Sequence, residues 1–125
     1  MGHPIRPNAD QLFTKLSYNL GERVKLNLEY QRIRKGMNVY DDKGELVRNV
    51  GGDVFQGFRE GIDSDTAIFL DGERVNNDNV RFNIIYEPIK NFVFDLNYVY
   101  SIDKYLSNGI KDDLSYAFVR FSFQY

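Results

Sequence analysis

The feature that most constrains this chain is a period of two that runs to its last residue. From Asp112 the sequence reads Asp-Asp-Leu-Ser-Tyr-Ala-Phe-Val-Arg-Phe-Ser-Phe-Gln-Tyr. Successive strand side chains point to opposite faces. One face therefore carries Ala117, Val119, Phe121, Phe123 and Tyr125, and the other Tyr116, Phe118, Arg120, Ser122 and Gln124. The first is apolar and aromatic throughout; the second turns polar from Arg120 onward. Chain ends ordinarily fray. So much aromatic surface in this one predicts either a sheet with a buried face or a strand whose outer face is wetted by lipid.

The same period appears upstream. Leu12, Thr14, Leu16, Tyr18 and Leu20 alternate with Phe13, Lys15, Ser17 and Asn19. Gly21-Glu22 is a two-residue connection of the kind that closes a tight hairpin. The next strand, about 23–34, sets Val24, Leu26, Leu28 and Tyr30 against Lys25, Asn27, Glu29 and Gln31. From Val80, Phe82, Ile84 and Tyr86 alternate with Arg81, Asn83, Ile85 and Glu87, and Pro88 to Asn91 makes a short turn. Phe92, Phe94, Leu96, Tyr98 and Tyr100 then alternate with Val93, Asp95, Asn97, Val99 and Ser101, and a medium loop, Tyr105 to Asp112, precedes the closing strand. Helical periodicity is nowhere persuasive. The pattern predicts an all-β fold, an antiparallel meander of about five long strands.

Between Gly36 and Asn79 the alternation breaks. Asn38-Val39-Tyr40 and Leu46-Val47-Arg48 flank the turn chemistry of Asp41-Asp42-Lys43-Gly44, which predicts a small hairpin. Gly51-Gly52-Asp53 is a second turn, Ala67 to Leu70 a short apolar run, and Asn76-Asn77-Asp78-Asn79 reads as a polar breaker. An excursion this long inside a compact domain is commonly functional.

Composition narrows the function. The chain has 125 residues, one domain's worth at most. With 16 Lys plus Arg against 18 Asp plus Glu, the net charge of -2 supplies no basic stripe for nucleic acid. No apolar run reaches the about 18 residues of a membrane helix, and the mean hydropathy of -0.47 is one that alternating barrel strands average to. Cysteine is absent, which excludes disulfides and thiolate metal sites. Met1 to Pro7 has no apolar core and is not a signal peptide, so an exported protein would be represented here by a mature or truncated piece.

Alternation alone fits two architectures. A soluble sheet buries its apolar face against a core; a membrane barrel turns that face to lipid and lines a wet interior with the polar one. Three features favour the membrane. Short connections (Gly21-Glu22, Pro88 to Asn91) alternate with longer ones (Gly36 to Asn79, Tyr105 to Asp112), as periplasmic turns and external loops do. The strands run about 10 to 12 residues, longer than the usual ~5–6 of globular sheets and enough to cross a tilted bilayer. Tyrosines recur near strand ends (Tyr18, Tyr30, Tyr86, Tyr98, Tyr100, Tyr125), as in an interfacial girdle. A soluble five-strand sheet would need a second layer, and the Gly- and Asp-rich excursion is poorly suited to supply one. Bacterial barrels have even strand numbers of about eight or more. Residues 1–125 are therefore expected to form the C-terminal segment of a larger transmembrane β-barrel, or to assemble with other chains, with a loop at about 36–79 turned outward.

The closing strand, aromatic at alternate positions, resembles the C-terminal signal by which outer-membrane barrels are recognised for insertion; Tyr125 stands where Phe is common. Gly2-His3-Pro4-Ile5-Arg6-Pro7-Asn8-Ala9-Asp10, Tyr30-Gln31-Arg32-Ile33-Arg34-Lys35-Gly36, and Tyr86-Glu87-Pro88 with Asn91 together resemble the capsule assembly Wzi family. The resemblance spans most of this chain and about the last third of a full-length member. It implies a bacterial outer-membrane barrel that attaches capsular polysaccharide to the cell surface. Its partners would be outer-membrane lipid, capsular or exopolysaccharide, the barrel-assembly machinery and the remaining strands of the same barrel, with no nucleic acid.

Catalytic chemistry finds little footing. His3 is the one histidine, so no multi-His metal site and no Cys–His pair can form, and no nucleophile motif accompanies it. Paired carboxylates can be drawn from Asp41, Asp42, Asp53, Asp63 and Asp65, but acidic loops of this kind are ordinary surface. Asp63-Ser64-Asp65 with Asp71 lacks the rest of a calcium loop. The expectation is a noncatalytic protein with no cofactor and no metal. Tyr40, Phe55, Gln56, Phe58 and Arg59 in the excursion could stack on and hydrogen-bond sugar rings; equally, Phe55 and Phe58 could pin the loop to the barrel mouth. Val119, Phe121, Phe123 and Tyr125 are the expected lipid-facing set. A transport pore and a soluble β-sheet binding module are the alternative functions.

Overall fold

A computed structural model describes residues 7–66 and 68–123. Within them every regular element is a strand: β1 (Ala9–Asn19), β2 (Val24–Met37), β3 (Val39–Tyr40), β4 (Leu46–Arg48), β5 (Glu73–Ile89), β6 (Phe92–Tyr105) and β7 (Lys111–Phe123). The long strands form one five-stranded antiparallel sheet in the order β1-β2-β5-β6-β7, and β3 pairs with β4 separately. The all-β five-strand meander expected from the alternation is the fold observed. β1 and β7 stand at the two ends of the sheet order. No helix among the described residues is long and apolar enough to cross a membrane, which says nothing of strands.

Turn chemistry explains the connections. Gly21 takes φ 79° between β1 and β2, and Leu20 N–H donates to the Val24 carbonyl at 2.8 Å. Asn91, at φ 68°, closes the β5–β6 turn with its N–H on Glu87 Oε1 at 2.9 Å. The predicted small hairpin forms, with Val39 opposite Arg48 and Tyr40 opposite Leu46. Asp41 Oδ1 organises its turn by accepting from the Lys43 and Glu45 amides at 3.0 and 2.7 Å.

The excursion is shorter than the alternation suggests. β2 runs on to Met37 and β5 already begins at Glu73, so the stretch from Asn76 to Asn79, read as a breaker, lies inside a strand. Cross-strand side-chain bonds replace intrinsic strand preference there. Asn77 Nδ2 donates to Asp103 Oδ1, and Tyr30 Oη donates to Asp78 Oδ1 at 2.9 Å. Such pairs are the unit of sheet stabilisation.

The chain divides into two compact units. The first comprises Met1–Gln11, Arg32–Asn77 and Asp103–Asp112. Here the insertion is clasped by Asn8, a non-glycine at φ 54°. Its Nδ2 donates to the Gly36 and Asp71 carbonyls, both at 3.1 Å, and its Oδ1 accepts the Leu70 amide at 2.7 Å. Asn38, 4% exposed, accepts the Val50 and Gly52 amides at 2.9 and 3.0 Å. Backbone segments approach so closely that a Cβ on Gly52 would lie 2.7 Å from the Gly36 carbonyl oxygen.

The second unit comprises Leu12–Gln31, Asp78–Ile102 and Asp113–Tyr125. Its side-chain partners keep one register. Lys15 meets Glu29 at 2.8 Å and Ser17 meets Asn27 at 2.8 Å, one index rising as the other falls. The unit packs no ordinary core. Among the described residues of the whole chain, the buried hydrophobic side chains are Leu70 and Val99. The chain exposes 9486 Å², whereas a folded 14.6 kDa monomer exposes about 6,900 Å². Much apolar surface is left without a partner.

Candidate functional site

The two faces of the sheet differ in chemistry. On one, a hydrogen-bonded chain of side chains crosses four strands. Ser17 Oγ donates to Asn27 Oδ1 at 2.8 Å, and Asn27 Nδ2 to Asn83 Oδ1 at 2.8 Å. Asn83 Nδ2 donates onward to Asp95 Oδ1 and, at 3.1 Å, to Asn97 Oδ1; Asn97 Nδ2 returns to Asp95 Oδ1 at 2.8 Å. Glu29 extends this face, pairing with Lys15 at 2.8 Å and Arg81 at 3.5 Å. Every one of these residues has an odd number, as a single pleat requires.

The other face is aromatic and aliphatic. Phe92 and Phe94 meet edge to face at 4.8 Å, and Phe94 and Phe121 at 5.0 Å. Phe92 lies 6.4 Å from Phe123 and Phe94 6.4 Å from Tyr86. Leu16, Tyr18, Leu20, Leu28 and Leu96 on this face are exposed. Of the expected lipid-facing residues, Val119, Phe121 and Phe123 are exposed, at 49%, 63% and 60%. Tyr125 lies outside the described residues, as does His3.

The insertion contains a cleft of about 610 Å³. Phe58, Ile62 and Ile68 line it with exposed apolar surface, and Gln56, Thr66 and Arg48 add polar groups. Of the expected sugar-binding residues, Gln56 and Phe58 line this cleft. Tyr40 sits on β3, 43% exposed, and Phe55 is 91% exposed; neither belongs to the lining.

Arg59 is committed within the loop. Its Nε and Nη2 bond Asp63 Oδ1 at 3.1 and 2.7 Å, and its Nη1 donates to the Leu46 carbonyl at 2.8 Å. The Asp63 side chain is 3% exposed. The Arg59 guanidinium holds its carboxyl down to about 2 against the opposing effect of burial, with the Arg59 amide and the Asn49 amide group adding to the hold. The same pairing raises Arg59. This clamp was not legible in the alternation; its signal is the i, i+4 spacing of opposite charges.

The second charge pair of the cleft is Arg48 with Asp71. Asn49 is engaged as well, donating to the Gly57 carbonyl at 3.1 Å and accepting the Gly51 amide at 3.1 Å. By contrast, the side-chain amide of Gln56 and the hydroxyl of Thr66 bond no described residue. No group of three or more His, Asp or Glu side chains among the described residues is placed to hold a metal ion.

Fold and site together define an all-β protein whose five-stranded sheet has one aromatic and one hydrogen-bonded polar face, with a clefted insertion between its second and third strands. No protein-family model matches the chain, and no curated protein or solved structure matches it.

Proposed function

We propose that this chain is a wall segment of a bacterial outer-membrane β-barrel. It acts without catalysis in capsule or exopolysaccharide assembly or surface attachment, and the insertion is its outward, carbohydrate-binding part. The observation that carries the reading is the segregation of the two faces. A water-soluble sheet would cover the Leu- and Phe-bearing face with a second layer; none of the described elements does so. In a bilayer that face meets hydrocarbon, and the chain of amides and carboxylates lines a wet interior.

Strand length agrees. The sheet strands have 11, 14, 17, 14 and 13 residues, and crossing a bilayer as a tilted strand takes about 9–11. Along the chain the short β1–β2 and β5–β6 turns alternate with the insertion and the β6–β7 connection. That asymmetry is the one outer-membrane barrels use, with short periplasmic turns and long external loops. The edges of β1 and β7 would pair with further strands of the barrel, since a sheet edge cannot face hydrocarbon.

The capsule role rests on the resemblance of the Gly2-to-Asp10, Tyr30-to-Gly36 and Tyr86-to-Asn91 segments. Lipid, polysaccharide and the assembly machinery that reads the closing strand are the partners it names. The polar face also fits a transport pore, and conductance separates the two: in planar bilayers the anchor gives no discrete channel steps. Detergent dependence and heat-modifiable gel migration test the membrane reading. A freely soluble, heat-insensitive monomer would contradict it.

A further inference from the structure

We propose, resting on the membrane reading above, that the protein binds the phosphate of an anionic lipid headgroup through Arg32, Arg34 and Lys104. These side chains stand on the same side of their strands as Leu28 and Leu96. Along β2 the even positions read Leu26, Leu28, Tyr30, Arg32 and Arg34, and along β6 they read Leu96, Tyr98, Tyr100, Ile102 and Lys104. Each strand begins aliphatic, passes tyrosine and ends cationic on one side of its pleat. In a bilayer that is the passage from hydrocarbon through the interface to the headgroups, where tyrosine anchors and long cationic side chains reach outward.

Pairings across the strands bring the cations together. Asp10 on β1 meets Arg34, Nε to Oδ1 at 2.9 Å. Asn77 Nδ2 bonds Asp103 Oδ1, so their neighbours Asn76 and Lys104 oppose one another on the other side of the pleat. β5 lies between β2 and β6 in the sheet, which sets those two strands roughly 10 Å apart. The long side chains of Arg32, Arg34 and Lys104 can therefore reach one group held above Asn76.

The protein leaves this place unfinished. Arg32 makes no hydrogen bond or ion pair with a described residue, and its Nε is buried without a partner; Asn76 Oδ1 is buried without one as well. Orphaned buried polar atoms are rare in a folded chain. Neighbouring carboxylates do not supply the missing contacts: Asp10 is taken by Arg34, and Asp78 accepts from Tyr30 at 2.9 Å. On β7, Lys111 and Asp113 offset each other in charge. A headgroup phosphate offers the paired acceptor oxygens that a guanidinium takes best. With small rotations of the two side chains, a glycerol headgroup would also supply a hydroxyl to the Asn76 oxygen.

The experiment titrates the full chain, folded in a neutral detergent, with dihexanoylphosphatidylglycerol, dihexanoylphosphatidylcholine and inorganic phosphate, following the arginine Nε–H resonances by NMR. Both lipids carry a phosphodiester, and in the choline lipid a fixed cation balances it. The expected result is a shift of the Arg32 resonance, with phosphatidylglycerol bound about tenfold or more tighter than phosphatidylcholine or inorganic phosphate. Arg32→Gln should weaken that binding about fivefold, as loss of one cation near an anionic lipid surface does. Lys104→Gln, at an exposed position, should weaken it to a similar extent and carries the test if the Arg32 variant does not fold. Arg81→Gln, on the opposite face, should leave it unchanged. Equal affinity for the two lipids, or no effect of Arg32→Gln and Lys104→Gln, would overturn the headgroup site and leave the membrane reading standing. Inorganic phosphate bound as tightly as phosphatidylglycerol would overturn it too, by showing an anion site indifferent to lipid. A chain freely soluble without detergent would overturn the membrane reading and the headgroup site with it.

Discussion

Asn27 Nδ2 donates to Asn83 Oδ1 at 2.8 Å, joining β2 to β5, the two strands that the insertion connects. Fifty-six residues separate the two in sequence. Asn27 is 8% exposed, so its amide must be satisfied by protein. Ser17 and Asn83 do this together, and Asn83 passes the chain of bonds on to Asp95 and Asn97. The bond thus ties β2 to β5 on the polar face of the sheet.

Asn83 is the hub of that chain, so Asn83→Leu should cost more than Ser17→Ala. Loss of its partners leaves Asn27 and Asn97 with unmet groups, each worth about 1–3 kcal/mol where water is excluded. Ser17→Ala removes one donor at the margin, about 0.5–1.5 kcal/mol. Urea titration of the folded protein in lipid vesicles reads both. Equal costs would show that the chain of side chains does not act as a unit.

The Asn8 clasp should be separable from the sheet. Asn8→Ala removes three bonds to Gly36, Asp71 and Leu70 and is expected to lower protection of the Leu70 amide in hydrogen exchange, by about 1–3 kcal/mol of local opening free energy. Amides of β6 should keep theirs. Gly72→Ala should have the same local effect more severely. Gly72 takes φ 87°, and an added Cβ would lie 2.8 Å from Val50 Cγ2.

Acid should loosen the insertion through Asp63. Its carboxyl sits at about 2 in the fold against an ordinary 3.8. Because the folded value is the lower one, the Arg59 pair stabilises the insertion above about pH 4, and that stabilisation is lost as pH falls through about 2. Proteolysis of the insertion by pepsin should accelerate across this window. Arg59→Gln should flatten the pH dependence contributed by Asp63 and leave the insertion more open at neutral pH. An unchanged pH profile in that variant would contradict the assignment.

The lipid exposure proposed for the closing strand would carry an energetic signature. Phe121→Arg should destabilise the protein in bilayers by about 2–4 kcal/mol if the side chain lies near the midplane. Ser122→Arg, one residue on and facing the other way, should be tolerated by comparison. The comparison is read from vesicle-based unfolding curves, and the reverse order would reverse the faces.

Much of the sheet was legible because its signal is local. A period of two survives in Leu12–Leu20, Val80–Tyr86 and Phe92–Tyr100 whatever the tertiary context, and Asp41 to Gly44 announces its own turn. The start of β5 was not legible. Asn76 to Asn79 carries poor strand formers, and what keeps them extended is Asp103 and Tyr30, distant in sequence. The cleft was half legible. Aromatic and amide residues marked the insertion, but nothing local says that Gln56 and Phe58 turn into the cleft while Phe55 turns out. Nor does it say that Arg59 is held by Asp63 and the Leu46 carbonyl.

In the proposed barrel the aromatic face meets lipid and the amide face meets water. The chain lacks cysteine, so single-cysteine variants can carry a spin label at one chosen site. The decisive measurement is collision accessibility in lipid vesicles at Leu28→Cys and Leu96→Cys on one face and at Lys25→Cys and Arg81→Cys on the other. Labels at 28 and 96 should be relaxed by oxygen dissolved in the bilayer, and labels at 25 and 81 by a water-soluble nickel chelate. Labels on both faces reached equally by the chelate would contradict that arrangement.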